Sequence, residues 1–153
     1  MKPVISDRLP EWIRNHLEDY IRSDGEEGHM WDSRPFGGDK VIPTLLLTTV
    51  GGSSGGPGTV PLIYSRDKES FVVAGSRGGA PKHPHWYVNL MAASGGWIQV
   101  GTDHHEVSAE LLEGAERTRN WTALVALFPP YLDYERKTKG SREIPVVRLT
   151  PVR

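Results

Sequence analysis

The chain has no cysteine. That excludes disulfides, thiolate metal sites and thiol redox chemistry, so any hydride or electron transfer has to come from a bound cofactor. Neither charge is in excess: 18 Lys and Arg against 19 Asp and Glu give a formal net charge of -1. The basic residues are scattered among acidic ones rather than gathered in a stripe, which argues against nucleic acid as a partner. No stretch approaches the roughly 20 apolar residues of a membrane span, and the opening MKPVISDRLPEW has no apolar h-region. The expectation is a soluble, cytoplasmic protein without an integral membrane segment. Its 153 residues suit one domain that needs no staple.

What is present is periodic. PEWIRNHLEDYIR places Trp12, Ile13, Leu17, Tyr20 and Ile21 at helical spacing behind Pro10, which predicts an amphipathic helix over 10–22. The segment SDGEEGHMWDSRPFGGD reads as a loop whose Met30, Trp31 and Phe36 fold back as a lid. TLLLTTV, VPLIYS and SFVVAGS then read as consecutive antiparallel strands separated by GGSSGGPGT and RDKE. WIQVG and HHEVSAEL continue the pattern, with a hairpin through Thr102 and Asp103. GAERTRNWTALVALF carries Ala115, Trp121, Leu124, Val125 and Phe128 on a helical stripe that Pro129 and Pro130 end. A short helix in PYLDYERKT and a last strand in EIPVVRLTPV follow. Six short strands, two or three helices and no βαβ alternation favour a mainly β, closed or split antiparallel barrel over a doubly wound sheet.

Several segments could carry chemistry. Ala74-Gly75-Ser76-Arg77-Gly78 comes near the G-x-S-x-G nucleophile elbow, but GGAPK stands where the helix of such an elbow must begin. His83, His85, His104 and His105 lack the spacing of a zinc site, and no metal is expected. The loop GGSSGGPGT can wrap a phosphate with its amides or serve as a plain hairpin connection. In VVAGSRGGAPKHPHWYVNL, Pro84 can open a helix, which puts free amides near His85 and Trp86 beside Arg77 and Lys82. The two alternatives there are an anion pocket with an aromatic wall and a basic loop whose Trp86 and Tyr87 pack into the core. Tyr131 and Tyr134, three apart, can present both hydroxyls to one cleft or serve as packing.

The order TLLLTTVG, PLIY, VVAGSRGGAPKHPHWYVNL, a helix with ER and W, FPPYLDYERKT and IPVVRLTP resembles the deazaflavin (F420)-dependent nitroreductase family over about residues 42–152. The resemblance implies an FMN-binding type of split β-barrel of actinobacterial type, as a single domain with the N-terminal helix and lid-like loop in 1–40 and the barrel in 41–153. It implies a reductase that passes hydride from coenzyme F420 to quinones, activated enones or nitroaromatics. The family's basic loop corresponds to Gly52, Ser53, Ser54 and Gly58, followed by Thr59 and Val60. The deazaflavin is expected against Pro61, Leu62 and Ile63, the strand end Ala74, Gly75, Ser76 and Arg77, with Lys82, and the helix start His85, Trp86, Tyr87, Val88 and Asn89. Ser76, Tyr131 and Tyr134 take the catalytic positions, with Trp86 as a wall for the ring. The family loop usually reads G-R-K-[ST]-G-x-x-R, whereas this chain has G-G-S-S-G-G-P-G and none of the three cations. Ile63 and Phe128 stand where some relatives carry tyrosines. The alternatives are an FMN-using reductase of the same fold and a non-catalytic carrier of an apolar, fatty-acid-like ligand. A small-molecule substrate, peripheral membrane contact and a monomer or homodimer complete the expectations.

Overall fold

The computed structural model describes residues 1–51 and 55–153. Along these the chain forms α1 (Glu11–Arg22), β1 (Met30–Asp32), β2 (Val41–Val50), β3 (Pro57–Ile63), β4 (Ser65–Asp67), β5 (Ser70–Ala74), α2 (His85–Ala93), β6 (Gly95–Val100), β7 (Asp103–Leu111), α3 (Gly114–Leu127), α4 (Tyr131–Thr138) and β8 (Val146–Pro151). Single 3-10 turns occupy Arg34–Phe36 and Arg77–Gly79.

All strand pairs are antiparallel, and β2, β6, β7, β8 and β5 follow one another across the sheet. β3 pairs with the other edge of β2, and β4, one residue further along the chain, pairs with β5. The chain therefore bends at Tyr64, so that its first half extends β2 and its second half extends β5. That single bend closes the sheet into a split barrel.

Period-2 alternation sorts the side chains. Leu45 and Leu47 of β2 point into the barrel with Phe71, Val73, Ile98, Val107, Val147 and Leu149, while Trp86 and Leu90 of α2 pack onto the same cluster. Val72 and Ala74 point outward beneath Trp121 and Leu124 of α3 and Tyr131 of α4. Leu46, also outward, receives Leu17 and Tyr20 of α1. The Tyr20 hydroxyl donates to the Thr44 carbonyl at 3.0 Å and accepts from the Gly101 amide at 2.9 Å, which fixes α1 to both β2 and the β6–β7 turn.

The helices and the last strand fall where the sequence puts them, and the hairpin turns at Gly101 and Thr102, one residue earlier than expected, with Asp103 already paired to Val100. Four expectations change. Residues 23–39 do not form a lid-like loop throughout: β1 pairs Trp31 with Ile42, and Trp31 packs on the outer core beside Phe128 at 6.3 Å between rings. The first barrel strand starts at Val41 rather than Thr44, because that pairing recruits its start. VPLIYS is split at Tyr64, so SFVVAGS pairs with only its last residue, Ser65 opposite Val72, and takes the last strand as its other neighbour, Phe71 opposite Leu149. The result is eight strands among the described residues instead of six. Ala115 is exposed, since the buried stripe of α3 begins a turn later, at Asn120 and Trp121.

Candidate active site

Ser76 lies just after β5 and Pro84 precedes α2, so seven residues make the connection between them. Ser76 is right-handed helical (φ -76°, ψ -37°), and Arg77, Gly78 and Gly79 then all take positive φ. A right-handed residue followed by a left-handed one curls successive amides into a concavity. Here the Ser76, Arg77 and Gly78 amides have no protein acceptor among the described residues, whereas Gly79 donates to the Ser76 carbonyl at 2.9 Å. Pro84 then caps α2 without a side-chain bond, leaving the His85 and Trp86 amides without protein acceptors as well. Arg77 and Lys82 are exposed beside them. Five free donors and two cations on one short elbow are the kind of groups that suit an anion.

Gly79 brings this elbow onto α4. Its φ is +83°, and a side chain there would meet Lys137 Cδ at 2.9 Å and the Tyr134 Cα at 3.1 Å, so only glycine allows the contact. Gly51 does the same for the start of the β2–β3 loop, where a side chain would lie 2.7 Å from Asn89 Oδ1 of α2. The first approach sets the turn after Ser76 and Arg77 against the backbone of Tyr134, and the second sets the end of β2 against Asn89. Gly52, Ser53 and Ser54 lie outside the described residues.

Beside the elbow, Ile63 packs on the outer cluster that contains Ala74, Phe128, Tyr131 and Tyr134. Pro61, Leu62 and Ile63 are half-buried along β3, while Val60 and Leu62 turn toward the barrel interior and Thr59 is buried with its hydroxyl 2.7 Å from that of Thr48. Gly58 is exposed. Gly75 donates to the Pro145 carbonyl at 2.9 Å, and Ser76 is 9% exposed.

Two aromatic expectations are corrected. Trp86 is 8% exposed and belongs to the barrel core, because its position on α2 faces Leu45 and Leu47; the surface of α2 is left to His85 and Val88, with Tyr87 and Asn89 half-buried. Tyr131 and Tyr134 do not share a cleft equally. Tyr131 is 5% exposed, wedged between Trp121 and Phe128 at 5.6 and 5.1 Å between rings, while Tyr134 is half-buried. Burial raises both phenols, and Asp133 adds to the rise at Tyr134, so both stay protonated at neutral pH.

One residue that sequence reasoning misses is central. Arg142, in the link between α4 and β8, donates to the carbonyls of Ala80 (2.9 Å), Gly75 (2.9 Å) and Ser76 (2.8 Å) and to His83 Nδ1 (3.1 Å). Its partners stand 59 to 67 residues earlier in the chain, so no local pattern announces it. Burial and Arg142 both hold the His83 imidazole below its ordinary value. Among the described residues no group of His, Asp and Glu could hold a metal ion, and Ser76 has no imidazole partner, since His83 Nδ1 is taken by Arg142.

The sequence profile of the F420H(2)-dependent quinone reductases matches residues 12–151. The chain belongs to that family. An F420H(2)-dependent quinone reductase of Mycobacterium tuberculosis (strain H37Rv) is 33% identical over 141 residues, covering 90% of this chain and 89% of the relative. Among solved structures, an F420-H2 dependent reductase, FDR-A, superimposes with a TM-score of 0.62 at 38% identity over 70% of this chain and 93% of its own. A second, described as a domain-swapped dimer, gives 0.65 at 33% identity over 91% and 97%. HutZ, the heme storage protein of Vibrio cholerae, shares the fold alone, at 16% identity and a TM-score of 0.53 over 72% of this chain and 82% of its own. As a member of the quinone reductase family the chain is an F420-dependent reductase with a split-barrel, mixed α and β fold. The family's cofactor is anionic, and the free amides, Arg77 and Lys82 suit such a group. Among the described residues no helix is long and apolar enough to cross a membrane.

Proposed function

We propose that this chain passes a hydride from reduced F420 to a quinone-type acceptor, with the cofactor's anionic side on the Ser76–Trp86 elbow and the acceptor oxygen beside Tyr134. The observation that carries the proposal is the packing of Gly79 on Tyr134, which puts an anion seat and a protonated phenol on adjoining backbone. When bound, reduced F420 supplies a two-electron hydride donor that avoids one-electron chemistry.

The protein's part is to bind, orient and protonate. The amides of Ser76, Arg77 and Gly78 and the side chains of Arg77 and Lys82 bind negative charge. Pro61 and Ile63, on the outward face of β3, with Ala74 and Gly75, give a flat ring an apolar floor, while Leu62, turned to the barrel interior, holds that strand in place. His85, Tyr87, Val88 and Asn89 border it on α2, with Trp86 setting the helix in place from the core. Gly58, exposed near the start of β3, borders the phosphate side, and Thr59, through its hydroxyl contact with Thr48, and Val60, turned to the barrel interior, hold that strand in place. The Ser76 hydroxyl orients the ring or the acceptor carbonyl. Hydride delivery adds two electrons to the acceptor, and Tyr134 donates its hydroxyl proton to the oxygen that gains charge, then regains a proton from solvent. Tyr131 serves as the buried back wall that fixes the Tyr134 ring, 6.1 Å away and edge-on. Enones and nitroaromatics present the same electron-poor conjugation next to an oxygen, so they belong to the acceptor range after quinones.

Purified protein mixed with reduced F420 and a panel of quinones, enones and nitroaromatics should oxidise the cofactor, followed by its absorbance. Turnover no faster than the protein-free rate would refute the assignment. Tyr134→Phe should lower kcat by about 100-fold, the usual share of a positioned proton donor, with cofactor affinity unchanged. A second reading draws on the sequence of residues 51–59, which has no Lys or Arg: FMN, with a single phosphate, needs fewer cations than F420. Protein that purifies yellow and is reduced without F420 would favour FMN. A carrier of an apolar, fatty-acid-like ligand would bind such a ligand and oxidise no reduced cofactor.

A further inference from the structure

We propose that Arg142 is a positioning residue for the cofactor's anionic group, holding three carbonyls to one side of the elbow so that the Ser76, Arg77 and Gly78 amides face the other side as a donor cradle. The inference rests on the proposed F420 function. In a trans peptide the carbonyl and the following amide point in opposite directions, and among the described residues there is no cis peptide bond. Arg142 Nη1 draws in the Gly75 carbonyl, which turns the Ser76 amide outward; Nη2 draws in the Ser76 carbonyl, which turns out the amide of Arg77. The sequence of right-handed Ser76 and left-handed Arg77 (φ 47°) then adds the Gly78 amide to the same concavity.

Left-handed backbone at a residue other than glycine is uncommon and needs support from its surroundings. Here the Nε donates to Ala80 at the far end of the turn, so a single planar fork grips the elbow on both sides of Arg77. Four of the five guanidinium N–H bonds are committed, to three carbonyls and to His83 Nδ1. Arg142 therefore has little left with which to touch an anion, and its contribution is the shape of the cradle. His83 completes the brace, its ring 4.9 Å from Tyr87 on α2. A lysine keeps the charge but has no planar fork, so it separates shape from Coulomb attraction.

The test measures the Kd of oxidised F420 by fluorescence titration, and kcat at saturating cofactor, for wild type, Arg142→Lys and Arg142→Gln. Loss of preorganisation should raise Kd by about tenfold or more in both variants, while kcat at saturation stays within about twofold. Folded variants with wild-type Kd would overturn the proposal, as would an Arg142→Lys variant that loses kcat and keeps its affinity. An NMR measurement on wild-type protein guards against variants that fail to fold: F420, and separately inorganic phosphate, should shift the amide resonances of Ser76, Arg77 and Gly78. F420 binding without those shifts overturns the cradle. Wild type that binds no F420 defeats the proposed cofactor instead, and the phosphate titration then decides the cradle by the presence or absence of the same three shifts.

Discussion

Tyr131 and Tyr134 have the same side chain on one helical turn, and burial gives them different work. The Tyr131 ring touches Trp121, Phe128 and Tyr134, so removing its hydroxyl changes little that a substrate feels, while removing its ring empties a core site. Tyr131→Phe should leave kcat within about threefold, far from the loss at Tyr134. Tyr131→Ala should destabilise by about 3 to 5 kcal/mol, the range for deleting a buried aromatic, read by denaturant titration. Two histidines carry a pH signature. Burial lowers His29, whose Nε2 is hydrogen-bonded to the Tyr64 hydroxyl at 2.7 Å, and burial with Arg142 lowers His83. A lowered imidazole binds fewer protons folded than unfolded, so stability rises with pH. The contribution is complete above the unfolded value, about 6.5, and is lost as pH falls from there through the folded values. Tm should therefore drop on acidification below that point, and the His29→Asn, His83→Asn double variant should flatten the drop. The tyrosines could be picked out from their spacing. Which of them is buried could not, because Trp121 approaches from a different helix.

Helices and strands act here through where they end. α3 runs to Leu127 and stops before Pro129 and Pro130, and α4 restarts at Tyr131, so the two prolines place Tyr134 against the elbow. The elbow reaches it through Gly79. Gly79→Ala should cost more than about 1 kcal/mol, since it sets a side chain at positive φ against the backbone of α4. It should also weaken F420 binding, measured by the same fluorescence titration, as the cradle lifts off. Proline stops and hydrophobic stripes are local, which is why α1, α3, α4 and the β6–β7 hairpin could be read from the sequence. β1 was hidden because three residues with no alternation form a strand only when β2 offers an edge. The break at Tyr64 was hidden because VPLIYS is apolar without interruption up to and through that residue.

Closure of the barrel depends on contacts between distant parts of the chain. β5 pairs with β8, and over that seam Arg148 binds Asp67 of β4 at 2.7 Å, Glu110 of β7 at 2.8 Å and Glu116 of α3 at 3.3 Å. The Arg148 hydrogen bond is the main reason that Asp67 lies below the ordinary carboxylate value. A depressed carboxyl contributes stability that is present above its unfolded value, about 3.9, and lost as pH falls through the folded one. Asp67→Asn should lower Tm at pH 7 and make stability less sensitive to pH below that value, as followed by circular dichroism. Taken alone, the sequence determined the antiparallel strand class, the main helices, the absence of thiol chemistry and the two basic residues of the elbow, because each depends on residue type and short-range periodicity. The string from Ser76 to Leu90 also pointed to the family. Only the tertiary structure decided which strand closes the barrel, that Trp86 is core, that Tyr134 and not Tyr131 meets the elbow, and that Arg142 grips the elbow's carbonyls. Those outcomes depend on backbone groups far apart in the chain, and a carbonyl or an amide has no letter in the sequence to mark where it will point.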